Sequence, residues 1–234
     1  MRPQVRAQVA RWRVGILAIA AVASAIGGAI AVSPTPSGAA GQIVFDGSPG
    51  SGPPPATLGP YSMTPFPADP QADLALVTTV AAPGGGSVKF DATVQHRIVG
   101  TSWAGWSHGY TGDVYCTRTA ACGGLSGENN RVLALPPNTV AFYFYAAPDG
   151  ATTAQMTATA QDGTTSGPIS VNIPTAQYFG FYGTPTDPLV SIAISLAAPG
   201  DGMAIGEFGI ATQAPPPTTT TTPASVVVTP KFTG

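Results

Sequence analysis

The feature that most constrains this chain is an alternation of apolar and polar residues with a period of two. In SVKFDATVQ, Val88, Phe90, Ala92 and Val94 alternate with Ser87, Lys89, Asp91, Thr93 and Gln95. A strand turns successive side chains to opposite faces, so this pattern makes one face greasy and the other wet. LVSIAISLA repeats it with Val190, Ile192, Ile194 and Leu196 on one side; DLALVTTVA, RVLAL, TVAFYFYAA, QMTATAQ, QYFGFYG and MAIGEFGIA extend the set. Roughly eight to ten strands result, punctuated by PGGG, PDG, QDG, TDP and PGDG. With 29 Gly, 25 Pro and only 9% charged residues, the composition disfavours helix interiors and favours turns. The expected fold is all-β: an antiparallel β-sandwich or jelly roll over residues 71–212.

The flanks read differently. Arg2, Arg6, Arg11 and Arg13 precede an uncharged run from Val14 to Val32, with small-residue sites at Ala23–Ala25 and Ala29–Ala31. Residues 1–32 therefore read as a secretory signal peptide, or, if uncleaved, as an N-terminal membrane anchor helix just long enough to span. Both place the rest of the chain outside the cytoplasm, secreted or on the outer face of the cell membrane. Residues 33–70 read as a Pro/Gly/Ser-rich linker with one short strand at 42–46, and residues 213–234 as a disordered Pro/Thr tail. The net charge is −2; losing four of the nine basic residues with the leader leaves five against eleven acidic ones, a charge of −6. Nucleic-acid binding is excluded on that balance, because it needs Lys and Arg against phosphates. The membrane is a partner only through the N-terminal segment.

Cys116 and Cys122 are the two cysteines. In an oxidising compartment, such a close pair is expected to form a disulfide around a small loop. GWSHG, Gly105 to Gly109, fits G-x-S-x-G, the turn that carries a nucleophilic serine in many esterases. That turn needs a helix behind it and a histidine after an acid. Here glycines follow Ser107, and His108 is its immediate neighbour while His96 precedes it. No catalytic residue is assigned. WAGWSHGYTGDVY reads instead as an aromatic strand with Trp106, His108 and Tyr110 on one face and Trp103, Gly105 and Ser107 on the other.

WAGWSHGYTGDVY, FYFYAAPD, YFGFYG and IGEFGIA together resemble secreted β-sandwich domains of bacterial surface proteins of actinobacterial type, over about 74–211. The resemblance implies fold and location; that family brings no activity to carry over, and the cysteine loop departs from its pattern.

Two aromatic strands carry the candidate binding surface. Phe142 and Phe144 alternate with Tyr143 and Tyr145, and Phe179 and Phe181 lie between Tyr178 and Tyr182. The phenylalanines should face the core and the four tyrosines an outer face where hydroxyls stay wet. If the two strands are neighbours, the rings form a platform for stacking on sugars, the alternative being tyrosine pairs that only stabilise a solvent-facing sheet. Trp106, His108 and Tyr110 form a second patch. Oxygens in GENN (Glu128, Asn129, Asn130) and at Asp201 and Glu207 form no contiguous calcium loop, so no metal ligands and no cofactor are assigned. The expected function is non-enzymatic binding of a glycan or other cell-envelope component, with a structural or protein-interaction module as the alternative and a secreted hydrolase third.

Overall fold

A computed structural model describes residues 42–117, 128–150 and 153–213. The leader at 1–32, the tail beyond 213 and Cys122, hence the disulfide expectation, lie outside the described residues. What is described is all-β, and every pairing between its strands is antiparallel.

Four short strands come first: β1 (Val44–Asp46), β2 (Thr57–Leu58), β3 (Tyr61–Ser62) and β4 (Thr64–Pro65). Then follow β5 (Leu76–Ala81), β6 (Ser87–Ile98), β7 (Asp113–Cys116), β8 (Asn130–Pro148), β9 (Thr153–Ala160), β10 (Ile169–Asn172), β11 (Gln177–Tyr182), β12 (Leu189–Leu196) and β13 (Met203–Thr212). A single 3₁₀ turn spans Ser107–Gly109.

Two long strands each serve two neighbourhoods. The start of β8 pairs with β12 and β6, and its end pairs with β11 and β13. Between them lie Pro136, Pro137 and left-handed Asn138 (φ 62°), where Val190 alone faces residues 135–138. Prolines donate no ladder hydrogen bond, so the pairing breaks and resumes with new partners. In β6, residues 90–93 likewise stand opposite Thr78 alone. The strand thereby leaves β8 and continues against β7.

Side chains of both neighbourhoods meet in one core. Leu133, Met156 and Ile192 come from the first; Phe142, Phe144 and Phe179 from the second. Phe144 and Phe179 stack with centroids 5.1 Å apart. The phenylalanines thus face the core as expected from alternation, each burial contributing roughly 1.5–3 kcal/mol.

The opposite face of β8 and β11 departs from expectation. A second apolar cluster forms there from Tyr143, Tyr145, Tyr178 and Cys116, covered by Leu58, Trp103 and Trp106. The cover comes from residues expected to be a linker, 42–66, and from the loop 99–112. The former is bound into the fold: β1 pairs with β11, β4 with β13, and Ile43 and Leu58 are buried. The latter is not an aromatic strand. A turn closes on the Ile98 carbonyl, with Gly100 at φ 82°, and His108 (φ 41°) and Gly109 (φ 79°) are left-handed, so the two-residue alternation fails at both ends of the segment. Trp103 and Trp106 lie together, 6.4 Å apart, rather than on opposite faces.

Candidate functional site

The tyrosines of the two aromatic strands do come together. Tyr178 pairs directly with Tyr145, and the Tyr143 and Tyr178 rings lie 5.5 Å apart. They are not a solvent-facing platform, however. Tyr143, Tyr145 and Tyr178 are buried and Tyr182 is half-buried. The Tyr145 hydroxyl donates to the Gly52 carbonyl at 2.6 Å, while the Tyr178 hydroxyl has no partner among the described residues. Burial raises the pKa of all three; that of Tyr143 reaches about 12. Gly180 and Gly209 make the layer possible, since a Cβ at Gly180 would strike the Tyr178 ring and hydroxyl and one at Gly209 the Tyr143 ring. Glycine inside a strand marks a close approach of this kind, a signal present in YFGFY and GEFG.

Trp106, His108 and Tyr110 converge on a residue that the sequence marked only as a stray oxygen. The Trp106 indole donates to Glu207 Oε2 at 3.0 Å, and His108 Nε2 lies 2.9 Å from Oε1. The His108 ring meets Tyr145 edge-on at 5.4 Å. Glu207 sits at the bulge of β13 between Gly206 and Gly209, with φ 51°. Two non-glycine residues in left-handed backbone, touching each other, represent stored strain on the order of 1–3 kcal/mol each. Burial pushes the Glu207 carboxyl up to about 8, the Trp106 hydrogen bond opposing, and burial lowers His108. Around neutrality the two are therefore a neutral acid–imidazole pair. The space that Glu207 lines with Tyr110, Asp113 and Phe208 measures about 10 Å³, room for one water at most.

A second histidine pair lies in the same protein. His96 is fully buried; its Nδ1 faces the Ala72 carbonyl at 3.0 Å and its Nε2 faces Asp113 Oδ1 at 2.7 Å. A carbonyl only accepts, so Nδ1 donates; with Nε2 facing a carboxylate oxygen, the two contacts together favour the doubly protonated imidazolium. Burial alone would lower its pKa, but the bonds to Ala72 and Asp113 carry it above the ordinary value. Asp113 also receives the Asp69 backbone N–H, and Asp69 the Tyr115 hydroxyl. The network straps residues 69–75 to β6 and β7.

Ser107 opens the 3₁₀ turn, and no α-helix follows it among the described residues. Its Oγ is buried and has no hydrogen-bond partner there. Cys116 is buried with Sγ 3.2 Å from Asp149 Oδ2. The side chain of Asn129 bridges the turn at Gly200 and Gly202. Among the described residues, no group of three or more His, Cys, Asp or Glu could hold a metal ion.

The open concavity lies elsewhere. A groove of about 250 Å³ is bordered by Arg97 at the end of β6, Ser102, Trp103 and Ala104 in the loop that follows, Asp149 after β8 and Ile173 after β10. Arg97 is fixed in place: Nε and Nη2 donate to Gln95 Oε1, and Nη1 to the Ser102 carbonyl. Among the described residues neither Arg97 nor Asp149 forms an ion pair. Two other depressions, both beside the Gly84 turn, are lined by no ionisable side chain and no aromatic ring. Arg97 and Asp149 escaped the sequence reading because each occupies an ordinary polar position at a strand end; only the turn signal PDG pointed near one of them. No helix among the described residues is long and apolar enough to cross a membrane. The chain matches no protein-family model, no curated protein and no solved structure.

Proposed function

We propose that this chain is an exported, non-enzymatic β-sandwich of jelly-roll character, of the kind found on bacterial surfaces, that binds glycans of the cell envelope. The observation that carries this reading is the groove over Trp103, where a guanidinium, a carboxylate and an indole meet at an opening among loops from three strand ends. Ligand sites favour such concave places with a few fixed polar groups. The tyrosine face is not part of the reading, because it is consumed by internal packing. The groups best suited to proton chemistry, Glu207 and His108, line or adjoin a space too small for a substrate, which supports binding over catalysis. The leader, Arg2 to Val32, supports export.

Two measurements test the proposal. Exported full-length protein on a glycan array is expected to retain envelope-type polysaccharides; an array without any retained glycan removes the binding function and leaves a structural module. N-terminal sequencing of the exported form is expected to start beyond Ala25, and protein found only in the cytoplasm would defeat the localisation.

A further inference from the structure

We infer that the groove between Arg97 and Asp149 is a subsite for one neutral pyranose ring of a polysaccharide, a conclusion that rests on the glycan-binding reading. Size is the first argument. At about 250 Å³ the groove falls just short of the roughly 300–1,000 Å³ of pockets that engulf drug-sized ligands, and its open rim lets a chain run past with one ring seated.

Donor and acceptor supply is the second argument. A guanidinium carries five N–H groups; three are spent on Gln95 and Ser102, which leaves one on each Nη for a ligand. Those bonds also hold the fork still before anything binds, so little side-chain freedom is lost on contact. On the same groove, Asp149 offers a carboxylate, one oxygen of which already meets Cys116 Sγ, while the other is open, among the described residues, to accept from a ligand hydroxyl. Sugar hydroxyls donate and accept at once, and a pair of them suits a site that holds one fixed donor group and one acceptor group.

Charge and shape narrow the class. An acidic sugar would gain from Arg97 but lose against Asp149 and against a mature chain whose charge is −6 once the leader arginines are gone. A neutral ring meets no such opposition. Trp103, although mostly covered, borders the groove and Ile173 is 40% exposed beside it, so the ring's C–H face has apolar contacts. The Trp103 segment is anchored: Ser102 Oγ bonds to Asp73, and Trp106 and His108 hold to Glu207.

The test is a binding titration followed by saturation-transfer NMR, using cellobiose, maltose and mannobiose as neutral probes and digalacturonate as the acidic one. At least one neutral disaccharide should bind, and digalacturonate at least tenfold more weakly. Asp149→Asn should weaken the neutral probe about tenfold. Ala104→Phe, an exposed position on the rim, should abolish binding while leaving the circular dichroism and melting curve of the parent. Neutral binding that survives both substitutions overturns the groove assignment and leaves the glycan reading standing. Tighter binding of digalacturonate overturns the neutral class. If the array retains a glycan but no disaccharide binds, the single-ring subsite is wrong; if both are silent, the subsite and the glycan reading fall together.

Discussion

Two histidine–carboxylate pairs in this protein, His96–Asp113 and His108–Glu207, are built from the same residue types and end in opposite charge states. His96 has acceptors on both ring nitrogens, Ala72 O and Asp113 Oδ1. Its partner Asp113 also receives the Asp69 N–H and keeps a side-chain exposure of 14%. Charge is stabilised there by hydrogen bonds that favour the ionised ring. His108 meets a carboxyl that is 7% exposed and receives one further donor, the Trp106 indole. There burial prevails over pairing, raising the acid and lowering the base. The contrast teaches that proximity of an acid to a histidine does not by itself make an ion pair; the count of additional partners decides.

The largest test removes the acceptor of the charged pair. Asp113→Ala leaves a buried imidazolium opposite nothing and should cost about 3–5 kcal/mol in urea unfolding at pH 6. Because the folded pKa of His96 is raised, its contribution is complete below the unfolded value near 6.5 and is lost as pH rises through the folded value. The penalty should therefore shrink toward alkaline pH, and one equal at pH 6 and pH 9 would mean that His96 is neutral.

Glu207→Gln probes the neutral pair. A carboxyl raised from 4.5 to about 8 binds a proton in the folded state that the unfolded chain has released, so it costs stability progressively as pH climbs through that window. The amide cannot ionise and can still accept from Trp106. The variant should match the parent near pH 4.5 and exceed it by on the order of 3 kcal/mol above pH 8. A variant less stable than the parent at pH 8.5 would show that the ionised carboxylate, not the acid, holds Trp106 and His108.

Smaller effects separate two buried tyrosines, Tyr145 against His108 and Tyr178 against Tyr145. Tyr145→Phe loses the bond to Gly52 and should cost about 1 kcal/mol. Tyr178→Phe removes a buried hydroxyl that has no partner among the described residues and should be neutral or stabilising by a few tenths to about 1 kcal/mol. Equal losses at the two positions would mean that the Tyr178 hydroxyl is bonded as well, since both substitutions keep the ring and remove only the O–H.

Much of the strand inventory was legible because alternation is local. SVKFDATVQ and LVSIAISLA became β6 and β12, and the phenylalanines of AFYFY and YFGFY entered the core. The pairing of those two strands was anticipated only as a condition, and their common tyrosine face was read as wet. The alternation shows that the two sides of a strand differ, but not whether another part of the chain will cover the second side. In the stretch read as a linker, the short strand expected at 42–46 falls on β1 (Val44–Asp46), while proline and glycine after it signify irregular backbone, not absence of packing; Ile43 and Leu58 are anchors within the stretch. Of the candidate patch, Trp106, His108 and Tyr110 were recognised, but Glu207, almost a hundred positions away, becomes their partner only through the β13 bulge.

By itself the sequence determined the strand character, the scarcity of helix and the apolar side of strands such as β6, because these follow from the fixed two-residue period of an extended backbone. In β12 the period breaks at the bulge beside Val190, which was expected inward and is 58% exposed. The tertiary structure alone decided that the tyrosine layer is roofed over, that one histidine is charged and the other neutral, and that Arg97 and Asp149 share an open groove. Those outcomes depend on contacts between distant segments and on how much water each contact expels, quantities that no local pattern encodes.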